Sequence, residues 1–166
     1  RLSETTIPLV PKIKKIGGVP TLSFIGAGNY AGSVLIPAFK KQLVNLKSIA
    51  SSGGLSGTLN GKKFGFQQTT TDTNSIFQDD EIDTVVISTR HNTHAELVIE
   101  AIENDKHVFV EKPLALSLDE LDSIRSSLSQ HPTSMLMVGF NRRFSPFVIK
   151  MKELLSAVNS PLAMVM

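Results

Sequence analysis

Between Thr21 and Lys41 the chain reads TLSFIGAGNYAGSVLIPAFKK, three kinds of sequence in immediate succession. A short apolar run, Leu22 to Ile25, has the composition of a buried strand. Gly26, Gly28 and Ala31 follow in the spacing G-x-G-x-x-A, and apolar residues then recur at helical intervals. The segment predicts a strand, a tight turn and a helix. In such a turn the first glycine allows a backbone conformation closed to other residues, and the second leaves the main chain bare enough for a pyrophosphate to approach. The small third residue lets helix and strand pack closely. The first helical N–H groups and the positive end of the helix dipole face the same point. Gly26, Gly28, Asn29, Tyr30 and Ala31 are therefore candidate phosphate-contacting residues. Glycine triplets also join strands to helices that bind nothing, so the remaining sequence has to agree.

The 166 residues are enough for one ordinary domain with a modest extension, and 41% hydrophobic against 19% charged residues suits a packed core rather than disorder. There is no cysteine, which excludes disulfides and thiolate metal sites. The longest apolar runs fall short of the roughly 20 residues of a membrane span. Residues 1–20 lack the apolar centre of a signal peptide, so the expectation is a cytoplasmic protein. The first residue is Arg1 rather than Met, as in a piece of a longer chain or a processed one. Net charge is +2, but residues 1–71 carry nine basic residues against Glu4, and the remainder carries eight basic against fourteen acidic. That asymmetry is compatible with an anionic partner for the first half or with a solvated basic face.

Residues 1–20, with three prolines and a Gly-Gly pair, read as an arm or linker. The helix after the glycine turn should bury Ala31, Val34, Leu35 and Ala38 and bend at Pro37. Residues 45–50 predict a second strand, SSGGLSG a loop, Lys62 to Phe64 a short helix and FQQTT a third strand. After a brief helix near 72–78 and the acidic turn DDEID, the apolar run TVVIS predicts a strand covered on both faces. Thr93 with Glu96, and Ser117 with Glu120, form the S/T-x-x-E capping-box pattern, and each opens a helix. Ala95, Val98 and Ile102 should face inward from the first, and Leu121, Ile124 and Leu128 from the second. HVFVE and MLMVGF are the fifth and sixth strands. From Phe144 an amphipathic helix is expected, and PLAMVM at the chain end reads as the start of a strand in a further domain. Strands alternating with helices from 21 to 140 predict an α/β fold, a Rossmann-type, doubly wound, parallel six-stranded sheet. Residues 141–166 would be a connecting helix and the start of a truncated second domain.

In such folds a carboxylate about 20 residues past the glycines accepts hydrogen bonds from the adenosine ribose of NAD. Here no Asp or Glu lies between Asn29 and Thr71, and the second strand ends in Ala50, Ser51, Ser52 and Gly53. Small hydroxyl residues suit a 2′-phosphate, so the expected cofactor is NADP in preference to NAD, with Ser51 and Ser52 as ligands and Lys62 or Lys63 as further candidates. The reading of those lysines as an ordinary surface helix stands equally.

Four segments in order, GAGNYA (26–31), TRHNTH (89–94), EKPLALS (111–117) and GFNRRFSP (139–146), resemble the N-terminal domain of the Gfo/Idh/MocA oxidoreductase family. In finer detail the chain is similar to a branch in which this module follows a zinc-type alcohol dehydrogenase-like module. The resemblance implies hydride transfer between nicotinamide and a sugar, cyclitol or polyol. It makes Lys112 the catalytic residue, with Glu111 orienting it and Pro113 fixing the backbone beside it. It also makes Thr89 and His94 cofactor-binding candidates; Glu111, Arg90 and Arg142, on segments that lead to the same crevice, are further ones. The family pattern T-P-N-x-x-H is kept at Thr89 and His94 but replaced by Arg90 and His91. His94 reads either as a cofactor contact or as a neutral ring packed against its loop, and the His91/His94 pair lacks a third ligand, so no metal is expected. One of Arg142 and Arg143 could pair with a carboxylate or phosphate.

In this family a second domain closes the substrate site, so the chain alone is expected to bind cofactor without turnover. The expected partners are a small-molecule sugar or polyol and further copies of the chain through the second domain, not nucleic acid or membrane. A non-catalytic NAD(P) sensor is the alternative, which Lys112 disfavours. A methyltransferase is disfavoured by the missing carboxylate after the second strand and by the EKP segment.

Overall fold

The computed structural model describes residues 5–10 and 18–158. One sheet contains β1 (Thr6–Pro8), β2 (Thr21–Ile25), β3 (Asn45–Ala50), β4 (Gln68–Thr70), β5 (Thr84–Ile87), β6 (His107–Glu111) and β7 (Leu136–Gly139), in the order β1-β4-β3-β2-β5-β6-β7. Pairings from β4 through to β7 are parallel, and β1 adds antiparallel to β4. The helices are α1 (Ile36–Lys40), α2 (Leu55–Phe64), α3 (Asn74–Phe77), α4 (His94–Glu103), α5 (Leu118–Gln130) and α6 (Pro146–Leu155). This is the doubly wound α/β fold of Rossmann type. Among the described residues no helix is long and apolar enough to cross a membrane.

The sheet has seven strands, not six. The extra one, β1, falls in the stretch read as an arm: Thr71 N donates to Thr5 O at 2.9 Å and Leu9 N to Gln67 O at 2.8 Å. Three residues are too few to show a period, and Pro8 masks the strand character, although proline is tolerated at a sheet edge where its missing N–H faces outward.

Alternation along the strands divides the core in two. Leu22 and Phe24 of β2, Leu46 and Ile49 of β3 and Val86 of β5 pack with Ala31, Leu35 and Ile36 on one face. Ile25, Val85, Ile87, Val108 and Val110 pack with Ala95, Val98, Ala101, Ile102 and Ile124 on the other. Phe24 is fully buried and meets Phe39 and Phe66 edge-on, with ring centroids 5.7 Å away in each case.

The lower ends of the strands are pinned by the acidic turn. Asp83 Oδ2 accepts from Thr21 N at 2.7 Å, Lys47 Nζ lies 2.5 Å from both Asp79 and Glu81, and Lys106 Nζ donates to Asp79 O at 2.9 Å.

Several local expectations change. The helix after the glycine turn passes through a π-helical segment, Ala31–Leu35, where Ile36 N donates to Ala31 O. Widening the turn here accommodates Pro37, which has no N–H and would crowd the carbonyl four residues back. It also turns the buried face, so Ala31, Leu35 and Ile36 point inward while Val34 and Ala38 are exposed. The helix expected near Lys62 begins earlier, at Leu55, inside the glycine-serine stretch read as a loop. At α5 the capping pattern forms: Ser117 Oγ accepts from Glu120 N, and Glu120 accepts from Leu116 N. Its inner face is Ile124, Ser127 and part of Leu128, while Leu121 is exposed. At α4 the capping box does not form, because Thr93 Oγ1 donates to Arg90 O at 2.9 Å. Ser145 caps α6 by accepting from Val148 N, and PLAMVM lies outside the described residues.

Two outcomes test this account of packing and charge. Phe24→Ala removes the ring shared by Phe39 and Phe66 and should cost about 3–5 kcal/mol in urea unfolding. Glu100 on α4 faces Glu96, Glu103 and Asp72; burial first, then those neighbours, raises its pKa above the ordinary 4.5. A raised carboxylate pKa means that ionisation disfavours the folded state, so the penalty is present above the carboxylate range and absent below it. Glu100→Gln should therefore raise the thermal midpoint slightly at pH 7, with the gain vanishing by about pH 4.

Candidate functional site

The strand order reverses between β2 and β5, which opens a crevice beyond the carboxyl ends of the strands. Gly26 enters it with φ +105°, and its N–H donates to Ala50 O on β3 at 3.0 Å. On the other side Ser88 Oγ donates to Gly26 O at 3.2 Å. A Cβ at Gly26 would stand 2.5 Å from Ser88 O, so both backbone and space demand glycine. At Gly28 the reverse holds: nothing lies within 4 Å of the place a Cβ would occupy. The first bond of the helical ladder is Gly32 N to Gly28 O, so the N–H groups of Asn29, Tyr30 and Ala31 precede it and lie in the first turn beside that open space. A bare glycine with helix N–H groups around it fits a pyrophosphate.

Close packing beside the turn depends on Gly32 rather than on Ala31 alone. Asn60 of α2 donates to Ala27 O at 3.1 Å, and a Cβ on Gly32 would come within 2.9 Å of the Asn60 amide. Ala31 is buried against the sheet. The Ala31-Gly32 pair was the available signal, and a triplet read as ending at Ala31 passes over it.

Beyond β3, Ser51 is half-buried and its Oγ accepts from Gly57 N at 3.0 Å, inside the first turn of α2, while Ser52 is exposed. The hydroxyl proton of Ser51 is left to donate. Asp72, the carboxylate just after β4, accepts from Asn74 N and thereby starts α3. Lys62 and Lys63 do not join this group. They occupy the last turn of the ten-residue α2, whose first turn faces the crevice, about 10 Å along the axis. Lys63 lies over the Phe64 ring instead.

The loops after β5 and β6 are tied together by His94. The ring is fully buried, with Nδ1 2.7 Å from Pro113 O and Nε2 3.3 Å from Thr89 O. Of its two readings, this geometry is that of a ring packed against its loop: both ring nitrogens face backbone oxygens, and the Nδ1 contact joins one loop to the other. The Thr89 hydroxyl meets that of Thr93 at 2.7 Å. Arg90 is exposed at the loop's tip.

Lys112 is exposed at the end of β6, joined to Pro113 by a cis peptide bond. Glu111 Oε1 is buried without a hydrogen-bond partner, and a Cβ on Gly139 of the neighbouring strand would lie 2.8 Å from it. After β7, Arg142 is exposed on the turn Asn141–Phe144, and Arg143 lies over the Phe144 ring. The topology thus brings the glycine turn, Ser51 and Ser52, Thr89 and Arg90, Glu111 and Lys112, and Arg142 to one edge of the sheet.

The two glycines should separate folding from binding. Gly26→Ala forces a side chain into a left-handed backbone and onto Ser88, and should lower the thermal midpoint clearly. Gly28→Val should leave the midpoint within about two degrees while weakening dinucleotide binding at least about tenfold, read by calorimetric titration.

The sequence profile of the Gfo/Idh/MocA family, described as an oxidoreductase family with an NAD-binding Rossmann fold, matches residues 21–140. The chain is 37% identical over 92 residues to myo-inositol 2-dehydrogenase of Thermotoga maritima, covering 55% of this chain and 27% of that protein. A scyllo-inositol dehydrogenase from Lactobacillus casei, solved with NAD(H) and scyllo-inositol, superposes with a TM-score of 0.76 at 24% identity, over 83% of this chain and 41% of that one. A 3-ketoreductase from Actinomadura kijaniata, solved with NADP, gives 0.76 at 22% identity, over 83% and 42%. At these identities the superpositions speak for the fold, and the chain spans about a quarter of the length of the relatives it matches in sequence. With the matched profile covering its whole glycine-turn-to-β7 unit, the chain belongs to the Gfo/Idh/MocA oxidoreductase family as an NAD(P)-binding Rossmann domain.

Proposed function

We propose that this chain is the cofactor-binding portion of an NADP-preferring dehydrogenase or reductase acting on a sugar, cyclitol or related polyol. The observation that carries the reading is an exposed lysine, Lys112, at the end of β6, on the same sheet edge as the bare cradle at Gly28. Bound nicotinamide would supply or accept a hydride. The chain's own part is to hold the pyrophosphate at Gly28 and the following N–H groups, and to present Lys112 to the reacting oxygen. The ammonium hydrogen-bonds the substrate hydroxyl or carbonyl, stabilises negative charge as it grows on that oxygen, and can exchange a proton with it. His94 keeps Pro113, and with it the lysine's backbone, in register with the loop after β5. The unpartnered Glu111 oxygen offers an acceptor to a hydroxyl or amide brought into the crevice.

Preference for NADP rests on the loop after β3. No carboxylate occurs between Asn29 and Thr71, Ser51 keeps a proton to donate, and Ser52 is open to the crevice edge. At the start of α2 Leu55 N donates to Gly53 O and Gly57 N to Ser51 Oγ, which leaves Ser56 N in the first turn to donate to a phosphate. The myo- and scyllo-inositol dehydrogenases among the relatives support a polyhydroxylated substrate.

Titration should give tighter binding of NADP than of NAD, and Ser51→Asp should reverse the order by placing a carboxylate where the 2′-phosphate lies. Tighter binding of NAD by the parent would refute the preference. In the full-length protein, Lys112→Met should lower kcat about 10²–10⁴-fold against a panel of inositols and sugars while leaving the cofactor dissociation constant within about twofold. Unchanged turnover would remove Lys112 from the chemistry.

A further inference from the structure

Tyr30 is the one tyrosine of a chain without tryptophan. It stands in the first turn after the glycine loop and is 38% exposed. Asn141 Nδ2 donates to its hydroxyl oxygen at 2.8 Å, a bond between residues 111 positions apart. Asn141 opens the turn that carries Arg142 and leads through Ser145 into α6. Among the described residues, every other hydrogen bond of residues 140–149 is local: Phe140 N to Val138 O, Arg143 N to Phe140 O, Ser145 N to Arg142 O, and Val148 N and Ile149 N to Ser145. The Tyr30–Asn141 bond is therefore the hydrogen-bonded tie between the post-β7 turn and the pyrophosphate cradle.

Its polarity matters. The amide donates, so the phenol keeps its own proton, and an oxygen that is already accepting makes its O–H a better donor. From the first turn of the helix that proton is available to an acceptor in the crevice. We propose that Tyr30 and Asn141 form a clasp that positions the Asn141–Phe144 turn, and Arg142 with it, over the bound dinucleotide, while the Tyr30 hydroxyl donates to a phosphate oxygen. This rests on the reading of the crevice as an NAD(P) site. A turn held beforehand loses less freedom when the cofactor arrives, so the clasp acts on affinity rather than on folding. Asn141 is a positioning residue, and Tyr30 both positions and binds.

The experiment is a double-mutant cycle on this chain with NADP as the probe, using Tyr30→Phe, Asn141→Ala and the pair. Asn141→Ala, which loses the tie, should weaken binding about three- to tenfold, and Tyr30→Phe, which loses the phosphate contact as well, by at least as much. The double variant should be no more than about twofold weaker than the weaker single, because both remove the same bond. Thermal midpoints should stay within about two degrees of the parent, since both side chains are partly exposed. Single variants that bind like the parent, or effects that multiply, overturn the clasp.

Amide hydrogen exchange supplies an arm that does not need the cofactor. Tyr30→Phe should speed exchange at Arg143 and Ser145 in the free protein, and NADP should slow it in the parent more than in the variant. If the parent binds neither NADP nor NAD, the cofactor reading itself has failed, and the phosphate contact of Tyr30 fails with it. If the parent binds but exchange at 143–145 is the same in parent and variant, only the clasp has failed.

Discussion

Everything in the crevice depends on Gly26 being held from both sides. Its N–H is committed to β3 through Ala50 and its carbonyl to the end of β5 through Ser88. At the other end of the same strand, Thr21 N is held by Asp83, at the base of β5. β2 is thus fixed at both ends between two neighbours, and the turn leaving it has a single path. The backbone conformation at Gly26 is closed to other residues, and the adjacent carbonyl excludes a side chain even if the backbone could be strained to admit one. That double exclusion explains why the next glycine, with nothing around it, can be spared for a ligand: the first does the structural work, and the second only has to stay bare.

What could be read from the sequence follows the range of the forces involved. Buried parallel strands announce themselves by short-range composition, so NLKSIA, TVVIS and HVFVE fall where expected, and the Ser117 cap depends on residues three and four positions apart. The capping pattern at Thr93 has the same letters and fails, because the Thr93 hydroxyl is taken by Arg90 O and by Thr89, a competition that a four-residue pattern does not contain. The buried face of the first helix was misread for a similar reason. A stripe drawn at 3.6 residues per turn assumes a regular helix, and the π-turn ahead of Pro37 shifts the phase so that Leu35 and Ile36 point inward together. The edge strand β1 and the packing partner of Gly32 are non-local: one needs β4 to pair with, the other needs Asn60, 28 residues away.

The site itself was legible in its backbone-built parts and less so in its side chains. Glycine spacing located the turn and its bare Gly28, since the demand for a bare main chain is written in residue type. Charge was a poorer guide. The excess of lysine in the first 71 residues does not gather at the crevice: Lys47 is buried against Asp79 and Glu81, and Lys62 and Lys63 sit at the far end of α2. Phosphate recognition as proposed for this crevice would rest on N–H groups and hydroxyls, which formal charge does not count. His94 shows the same limit, for a histidine near a ligand crevice and a histidine buried between two loops look identical in sequence.

The burial of His94 also bears on how an exposed lysine could be aimed in the role proposed for Lys112. A free lysine side chain loses about 2 kcal/mol of rotamer entropy when fixed in one geometry, so its aim has to come from elsewhere. The backbone of Lys112 is confined on one side by the pairing of Glu111 with Gly139 across β6 and β7, and on the other by Pro113, whose carbonyl His94 holds. What remains free is the side chain alone. The anchors reach it from two directions, from β7 through Gly139 and from the loop after β5 through His94, so a disturbance of either loop moves the lysine even though neither touches its ammonium group. The imidazole of His94, buried between the two loops, reaches the lysine's backbone through Pro113.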